Sequence, residues 1–281
     1  MLIKQILQES IKKLKESNIE QPSLIARILL ANLLNIEKEK LLIIDENQLE
    51  EKIKQQYNTQ IQEIINGKPI QYITNSQEFM KLKFYVDENV LIPRADTEIL
   101  VEQVINICSK TNKNLKILDL CTGSGIIAIS IAKYVNNCEL YASDISKNAL
   151  EIAKKNAVSN NVDKKITFVH SNMFENLKDN FDIIVSNPPY IKTRIIKTLD
   201  KQVQNEPHIA LDGGEDGLEY YKIIVKNARN YLRINGYLCV EIGYDQKIQV
   251  KNIIEKENIF DNIYTKVDLY GNDRIIIAKR R

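Results

Sequence analysis

The tetrapeptide Asn187-Pro188-Pro189-Tyr190 follows directly on the run Phe181-Asp182-Ile183-Ile184-Val185-Ser186, so a carboxamide, rigid carbonyls and an aromatic ring sit at the end of a predicted buried strand. This set suits a planar amino group. An amide or exocyclic NH2 held there donates to the Asn187 carboxamide oxygen and to the Pro188 carbonyl while its π-face stacks on Tyr190, and proline keeps the backbone from relaxing. The competing interpretation is an ordinary turn, because proline and asparagine are both common where strands end.

A second set of residues bears on that choice. Ile117-Leu118-Asp119-Leu120 runs into Cys121-Thr122-Gly123-Ser124-Gly125, and the apolar sequence Ile126 to Ala132 follows with helical character. Strand, glycine-bearing turn and helix form a nucleotide cradle, since glycine admits a ligand close to the backbone and a helix N-terminus offers free N–H groups. The spacing is not that of the dinucleotide fingerprint G-x-G-x-x-G, and the carboxylate of Asp119 suits a cationic ligand better than a pyrophosphate. Asp144 stands 19 positions beyond Gly125, at the end of the next predicted strand, where it can meet two ribose hydroxyls or, alternatively, cap the following helix. S-adenosylmethionine has the ribose and a positively charged tail but no phosphate. The turn, the acid and Asn187-Pro188-Pro189-Tyr190 follow the first, second and fourth strands of one run, which places all three at the edge where open α/β sheets bind ligands.

Those positions require a sheet, and the chain changes character twice to supply one. Through about residue 66 apolar residues recur at helical spacing (Ile3, Ile6, Leu7, Ile11, Leu14, then Leu24, Ile25, Ile28, Leu29, Leu33), with Pro22-Ser23 as a helix start. After Gly67-Lys68-Pro69 the period shortens across Phe79, Leu82, Phe84 and Val86, which predicts a hairpin. From about residue 93 strand-like runs at 116–120, 139–142, 166–169, 181–185, 237–242, 263–267 and 274–278 alternate with amphipathic stretches. The expectation is a helical domain over 1–70, a β-hairpin linker over 71–92 and an α/β domain over 93–281 with a mostly parallel seven-stranded sheet.

Composition restricts the partners. Thirty-nine basic and 37 acidic residues leave a net charge of +2, without the basic excess of a chain that lives on nucleic acid. Cys108, Cys121, Cys138 and Cys239 are scattered, with no Cys-x-x-Cys and only two histidines in the chain, so neither a disulfide framework nor a metal site is expected. No apolar run approaches the ~20 residues of a membrane span. A cytoplasmic, monomeric protein without membrane or direct nucleic-acid contacts is expected.

Together the Asp119 to Gly125 turn, Asp144 and Asn187 to Tyr190 resemble the Rossmann-like, S-adenosylmethionine-dependent methyltransferases that act on a planar nitrogen. Further motifs narrow the resemblance: Gly67-Lys68-Pro69-Ile70-Gln71-Tyr72-Ile73, Glu78-Phe79, Val90-Leu91-Ile92-Pro93-Arg94, Asp96-Thr97-Glu98, and Glu206 to Leu218. They are similar to the peptide chain release factor glutamine methyltransferases, the HemK or PrmC family, over nearly the whole chain. The resemblance implies methyl transfer to the glutamine N5 of the Gly-Gly-Gln motif in release factors 1 and 2, with S-adenosylhomocysteine as product. It implies cofactor contacts at Cys121, Thr122, Gly123, Ser124, Gly125, Asp144, Met173 and Asn187, and substrate contacts at Asn187, Pro188, Pro189 and Tyr190, with Asn187, Pro188 and Tyr190 doing the catalysis. The helical domain would recognise the release factor.

The chain departs from the family pattern at Cys121, where glycine is usual, at Asn172, where aspartate is more frequent, at Met173, where an aromatic or other apolar residue is more frequent, and at Asn75, where glycine is frequent. Asn172 can still accept from the adenine amino group, and Met173 can lie against the ring. His208 sits in the Glu206-Pro207 segment and is expected to be structural rather than a base. Two other classes remain open at this point: a DNA adenine-N6 methyltransferase, for which the same tetrapeptide serves, and a noncatalytic module that binds a protein through its N-terminal helices.

Overall fold

In the computed structural model, which describes residues 1–281, the early helical periodicity produces α1 (Ile3–Glu16), α2 (Pro22–Leu34), α3 (Glu51–Ile65) and α4 (Ile70–Thr74). Pro22 opens α2 at a position where its missing N–H costs nothing. Ile3, Ile6 and Leu14 of α1 meet Leu29 and Leu30 of α2 and Tyr57, Ile61 and Ile64 of α3 in one apolar core. The Tyr57 hydroxyl, carried into that core, donates to the Ala26 carbonyl at 3.0 Å. Asn75 ends α4 in the left-handed region at φ 51°, a conformation asparagine tolerates in place of the glycine that the resemblance leads one to expect there.

Two antiparallel strands follow, β1 (Gln77–Phe79) and β2 (Leu82–Phe84), and then α5 (Asp96–Cys108), β3 (Leu115–Leu120), α6 (Ile126–Tyr134), β4 (Cys138–Asp144), α7 (Lys147–Ser159), β5 (Ile166–His170) and β6 (Phe181–Ser186). Short helices α8 (Thr193–Ile196), α9 (Lys201–Gln204) and α10 (His208–Leu211) lead to α11 (Glu219–Tyr231), β7 (Leu232–Glu241), α12 (Lys247–Lys256), β8 (Phe260–Val267) and β9 (Asp273–Arg280). The seven longer strands form one sheet in the order β5-β4-β3-β6-β7-β9-β8, parallel except where β9 runs against β7 and β8. Successive residues feed opposite faces, as a pleated strand demands. Ile117, Ile183 and Val185 join the core built with α5 and α6, whereas Leu118, Ile184 and Leu238 join the core built with α11 and α12.

Contacts divide the chain into two units, Met1–Asn75 with Asp200–Asn205, and Ser76–Leu199 with Glu206–Arg281. The hairpin, expected from the sequence as a linker over 71–92, therefore belongs to the second unit. The physical reason is its apolar face: Phe79 and Phe84 pack edge to face, with centroids 6.1 Å apart, and both are buried in the same cluster as Ile117, Ile129 and Leu100. The hairpin turn is Met80-Lys81, both at positive φ, fixed by the Met80 N–H donating to Glu98 at 2.6 Å and the Tyr134 hydroxyl donating to the Met80 carbonyl at 2.6 Å. Phe84→Ala is expected to lower the stability of the second unit by about 3–5 kcal/mol, measured as the shift of its urea midpoint. A loss below about 1 kcal/mol would mean that the hairpin lies outside that core.

Candidate active site

Strands β3 and β6 are neighbours although β4 and β5 intervene in the chain, so this is where the sheet changes direction of travel. Leu120 pairs with Ser186 across the ladder, and the Ser186 hydroxyl donates to the Leu120 carbonyl at 2.6 Å. The Cys121 to Gly125 turn and the Asn187 to Tyr190 loop therefore leave the sheet side by side, at the crevice where open α/β sheets take ligands. A cleft enclosing about 950 Å³ of empty space, open solvent included, lies there. Cys121, Thr122, Gly123, Ser124, Asp144, Met173, Asn187 and Pro189 line it. Gly125, Pro188 and Tyr190 are not among its lining residues.

Each element of the turn is held by the fold around it. Asp144 Oδ2 accepts from the Gly123 N–H at 2.9 Å, and its Oδ1 accepts from the Ser146 N–H at 2.9 Å. The cap of α7 is instead the Ser146 hydroxyl, which accepts from Ala149. Gly125 lies at φ +85°, and a Cβ there would stand 2.8 Å from Ile129 Cδ1 and 3.1 Å from Ala153 Cβ, so packing as well as conformation demands glycine. Asn156 of α7 donates to the Ser124 carbonyl at 2.9 Å and to the Tyr85 carbonyl at 3.0 Å and accepts from the Tyr85 N–H at 2.7 Å, which bolts the turn to the hairpin exit.

Asp119 is corrected by the geometry. It does not face the cleft: wholly buried beneath the turn, its Oδ2 accepts the Thr122 hydroxyl at 2.5 Å and the Ala128 N–H at 3.1 Å. Its Oδ1 has no partner. Burial pushes this carboxyl up to about 7, against the Thr122 and Ala128 hydrogen bonds and with help from the Asp144 charge. Burial likewise raises Asp144.

The residues present fit S-adenosylmethionine. Asp144 offers carboxylate lone pairs at the cleft wall, the buried Ser143 hydroxyl lines the same cleft without a protein partner, and Met173, Ile145 and Leu120 supply apolar surface. The partly buried Asp144 carboxylate at the cleft wall is the one of the two that can meet a cation or hydroxyl donors there, since Asp119 lies beneath the turn. Asn172 lines the cleft with its Nδ2 donating to Glu175 at 2.9 Å.

The Asn187 loop is set by a different group of residues. Asn187 Nδ2 donates to Thr97 Oγ1 at 3.2 Å, Thr97 donates to Glu241 Oε2 at 2.6 Å, and the Tyr190 hydroxyl donates to Glu241 Oε1 at 3.3 Å. Tyr190, expected as a stacking surface for a substrate amide, is instead turned toward the α11–α12 core, with its hydroxyl raised well above its usual range by burial and by the Glu241 charge. Gly213 and Gly217 back the loop: a Cβ on the first would stand 2.7 Å from Tyr190 Cα, and on the second 2.5 Å from the Tyr190 carbonyl oxygen. Gln246 completes the lock by donating to that carbonyl at 2.9 Å.

Comparison with known proteins decides what this arrangement belongs to. A PrmC N-terminal domain model matches residues 5–74 and a Methyltransferase small domain model matches 95–206. The release factor glutamine methyltransferase of Clostridium acetobutylicum is 40% identical over 284 residues, covering 100% of this chain and 99% of that protein. The chain belongs to the release factor glutamine methyltransferase family. The corresponding protein of Moorella thermoacetica is 36% identical, over 100% of this chain and 99% of that one. A bifunctional methyltransferase of Rickettsia typhi is 42% identical over 98% of this chain, which spans only 56% of that relative's length. Among solved structures, a methyltransferase from Pyrococcus furiosus (TM-score 0.53, 17% identity, 79% of this chain and 98% of that one) shares the fold. So does the ribosomal RNA methyltransferase RsmC of T. thermophilus, solved with AdoMet and guanosine (TM-score 0.53, 19% identity, 73% and 50%).

Family motifs without an assigned role in the sequence thereby acquire one. Arg94 pairs with buried Glu206, whose other oxygen accepts the Ile92 N–H at 2.9 Å, and Asp96 pairs with Arg274 at 3.2 Å. Thr97 and Glu241, 144 residues apart, were legible only in part: Thr97 stands in a family motif, and nothing in the sequence marks Glu241. His208 lies outside the cleft lining, 3.8 Å from Asp212.

The raised Asp119 carboxyl makes stability depend on pH in a defined direction. A folded pKa of about 7 against an ordinary 3.8 means stability is fully present below the ordinary value and is lost as pH rises through the folded one. Relative to Asp119→Asn, the protein should therefore lose stability between about pH 4 and about pH 7 and hold a constant difference above that range. Urea midpoints across the range test it, and a difference that grows in the protein's favour with pH would reverse the assignment.

Proposed function

We propose that this chain transfers the methyl group of S-adenosylmethionine to the side-chain N5 of the glutamine in the Gly-Gly-Gln motif of bacterial class 1 peptide chain release factors. The carrying observation is Asn187: its Nδ2 is engaged by Thr97 while its Oδ1 meets no protein donor and the residue lines the cleft next to the cofactor turn. An acceptor presented this way fits an N–H of a planar amide. When bound, S-adenosylmethionine supplies an activated methyl group.

An amide nitrogen is a weak nucleophile because its lone pair is delocalised into the carbonyl. Asn187 Oδ1 accepts one of its N–H bonds and stabilises the positive charge that develops on nitrogen during attack, while the Pro188 carbonyl, expected from the sequence as the second acceptor, is not part of the cleft lining. Alignment of the nitrogen with the methyl group supplies much of the remaining acceleration. Deprotonation follows transfer, so no general base is required. The net charge of +2 is weak support for a DNA substrate, which calls for a basic cleft to hold a flipped base.

Labelled S-adenosylmethionine incubated with purified release factor or with DNA separates the three classes. Label on wild-type factor and none on its Gln→Ala variant is the expected result; label on DNA alone indicates the adenine enzyme, and no label on either the noncatalytic module. Asn187→Ala is expected to slow turnover by about 10²–10³-fold while calorimetry finds cofactor affinity little changed. Equal turnover would remove Asn187 from the chemistry.

A further inference from the structure

We infer that Thr97 and Glu241 are positioning residues that fix which end of the Asn187 carboxamide faces the substrate. The inference rests on the methyl-transfer reading above and adds a specific cause for it. An asparagine side chain has two nearly isosteric ends, one donor and one acceptor, and only the acceptor end can receive an N–H. The loop alone does not choose between them.

The choice is made by hydrogen-bond polarity running outward from the interior. Glu241 lies at the C-terminal end of β7, 2% exposed; burial raises its carboxyl to about 7, and in the ionised form present above that value it can only accept. Thr97 Oγ1, 2.6 Å from Glu241 Oε2, therefore commits its single proton inward. That leaves lone pairs on the side facing Asn187, 3.2 Å away, and only the NH2 end of the carboxamide can satisfy them. Asn187 Oδ1 is thereby turned to the side where no protein donor competes. The Tyr190 hydroxyl holds the carboxylate through Glu241 Oε1 at 3.3 Å, and the Tyr221 hydroxyl of α11 holds the Glu241 backbone through its carbonyl at 2.9 Å. With Glu241 ionised, the chain thus runs from a buried carboxylate through a hydroxyl to the amide, each donor facing an acceptor. A flipped Asn187 would set its oxygen against the Thr97 lone pairs and its NH2 against the substrate N–H, at the cost of an unmade hydrogen bond on both sides.

This gives the Asp96-Thr97-Glu98 motif a division of labour. Asp96 pairs with Arg274 and Glu98 holds the hairpin turn, so both flanking acids fix α5 in place while Thr97 alone touches the acceptor residue.

Thr97→Ser and Thr97→Val test the assignment, since the first keeps the hydroxyl and the second keeps the shape. Single-turnover methylation of release factor is expected within about threefold of wild type for Thr97→Ser and about 10²-fold slower for Thr97→Val, as for a misplaced catalytic contact. Cofactor affinity, read by calorimetry, should stay within about threefold for both. A Thr97→Val enzyme at the wild-type rate, or a Thr97→Ser enzyme as slow as Thr97→Val, would overturn the proposal. A readout independent of activity comes from the full chain labelled with 15N-asparagine, in which the Asn187 side-chain signals are those missing from Asn187→Asp. Their protons should exchange at least about tenfold faster in Thr97→Val than in wild type, and unchanged exchange would overturn the proposal. Thr97→Ala carries the same comparisons if Thr97→Val does not fold. Wild-type protein that fails to methylate the factor would sink the reaction while the exchange measurement still judges the hydrogen-bond chain.

Discussion

The register of β3 against β6 is the constraint on which the rest of the site depends. Because the two strands are parallel neighbours, Leu120 and Ser186 end level with one another, and whatever follows each must leave the sheet at the same point. The cofactor turn follows one and the Asn187 loop the other. Slipping the pair by one residue would invert every side chain between its two faces, exchanging Ile183 and Val185 with Ile184 across two different cores. Burial on both faces therefore enforces the register, and the register places donor and acceptor within one cleft. Catalytic geometry is in this sense a by-product of core packing.

Two different devices finish what the register begins. The cofactor turn is shaped by backbone contacts, with Gly123 on Asp144, Thr122 on the Ser143 carbonyl at 2.9 Å, and Asn156 on Ser124. The Asn187 loop is shaped by close approach, because Gly213 and Gly217 leave no room for side chains beneath it. The glycine-rich segment from Asp212 to Gly217 thus acts at a distance in sequence on the loop it supports. Its own ties, the Ile191 N–H on the Leu211 carbonyl and the Gly213 N–H on the Ile191 carbonyl, are an isolated parallel bridge outside the main sheet.

Much of this was legible in the chain because period and punctuation agree. The strand runs, the turn glycines and Asn187-Pro188-Pro189-Tyr190 are local signals, and each falls where a strand of the sheet ends. What was illegible is how the chain closes on itself. The role of Asp119 depends on Thr122 and Ala128 closing over it, so a carboxylate that suits a cation by type is spent beneath the turn. The orientation of Tyr190 depends on Glu241, far along the chain, and the affiliation of the hairpin depends on where Phe79 and Phe84 find apolar company. For Tyr190 and the hairpin the deciding partners lie far along the chain, and for Asp119 it is the closure of the neighbouring turn that residue type alone does not show.

Backbone strain follows the same division between local and tertiary causes. Asn18, Asn35, Asn75, Asn161, Asn235, Asn258 and Asn262 all hold positive φ, and asparagine bears that conformation on its own account. Cys121 and Met173 do not have that excuse, yet they sit at φ 64° and 48°, both in the cleft and with their sulfurs 3.9 Å apart. A non-glycine residue in this region costs of order 1 kcal/mol or more and persists only where its surroundings over-determine it. Here the surroundings are the Ser171 hydroxyl donating to the Met173 carbonyl at 2.8 Å and the Thr122 N–H held by Ser143. Glycine at Cys121 would relieve the strain and surrender the sulfur contact. The two left-handed residues therefore form one unit, in which each strained turn buries its side chain against the other's.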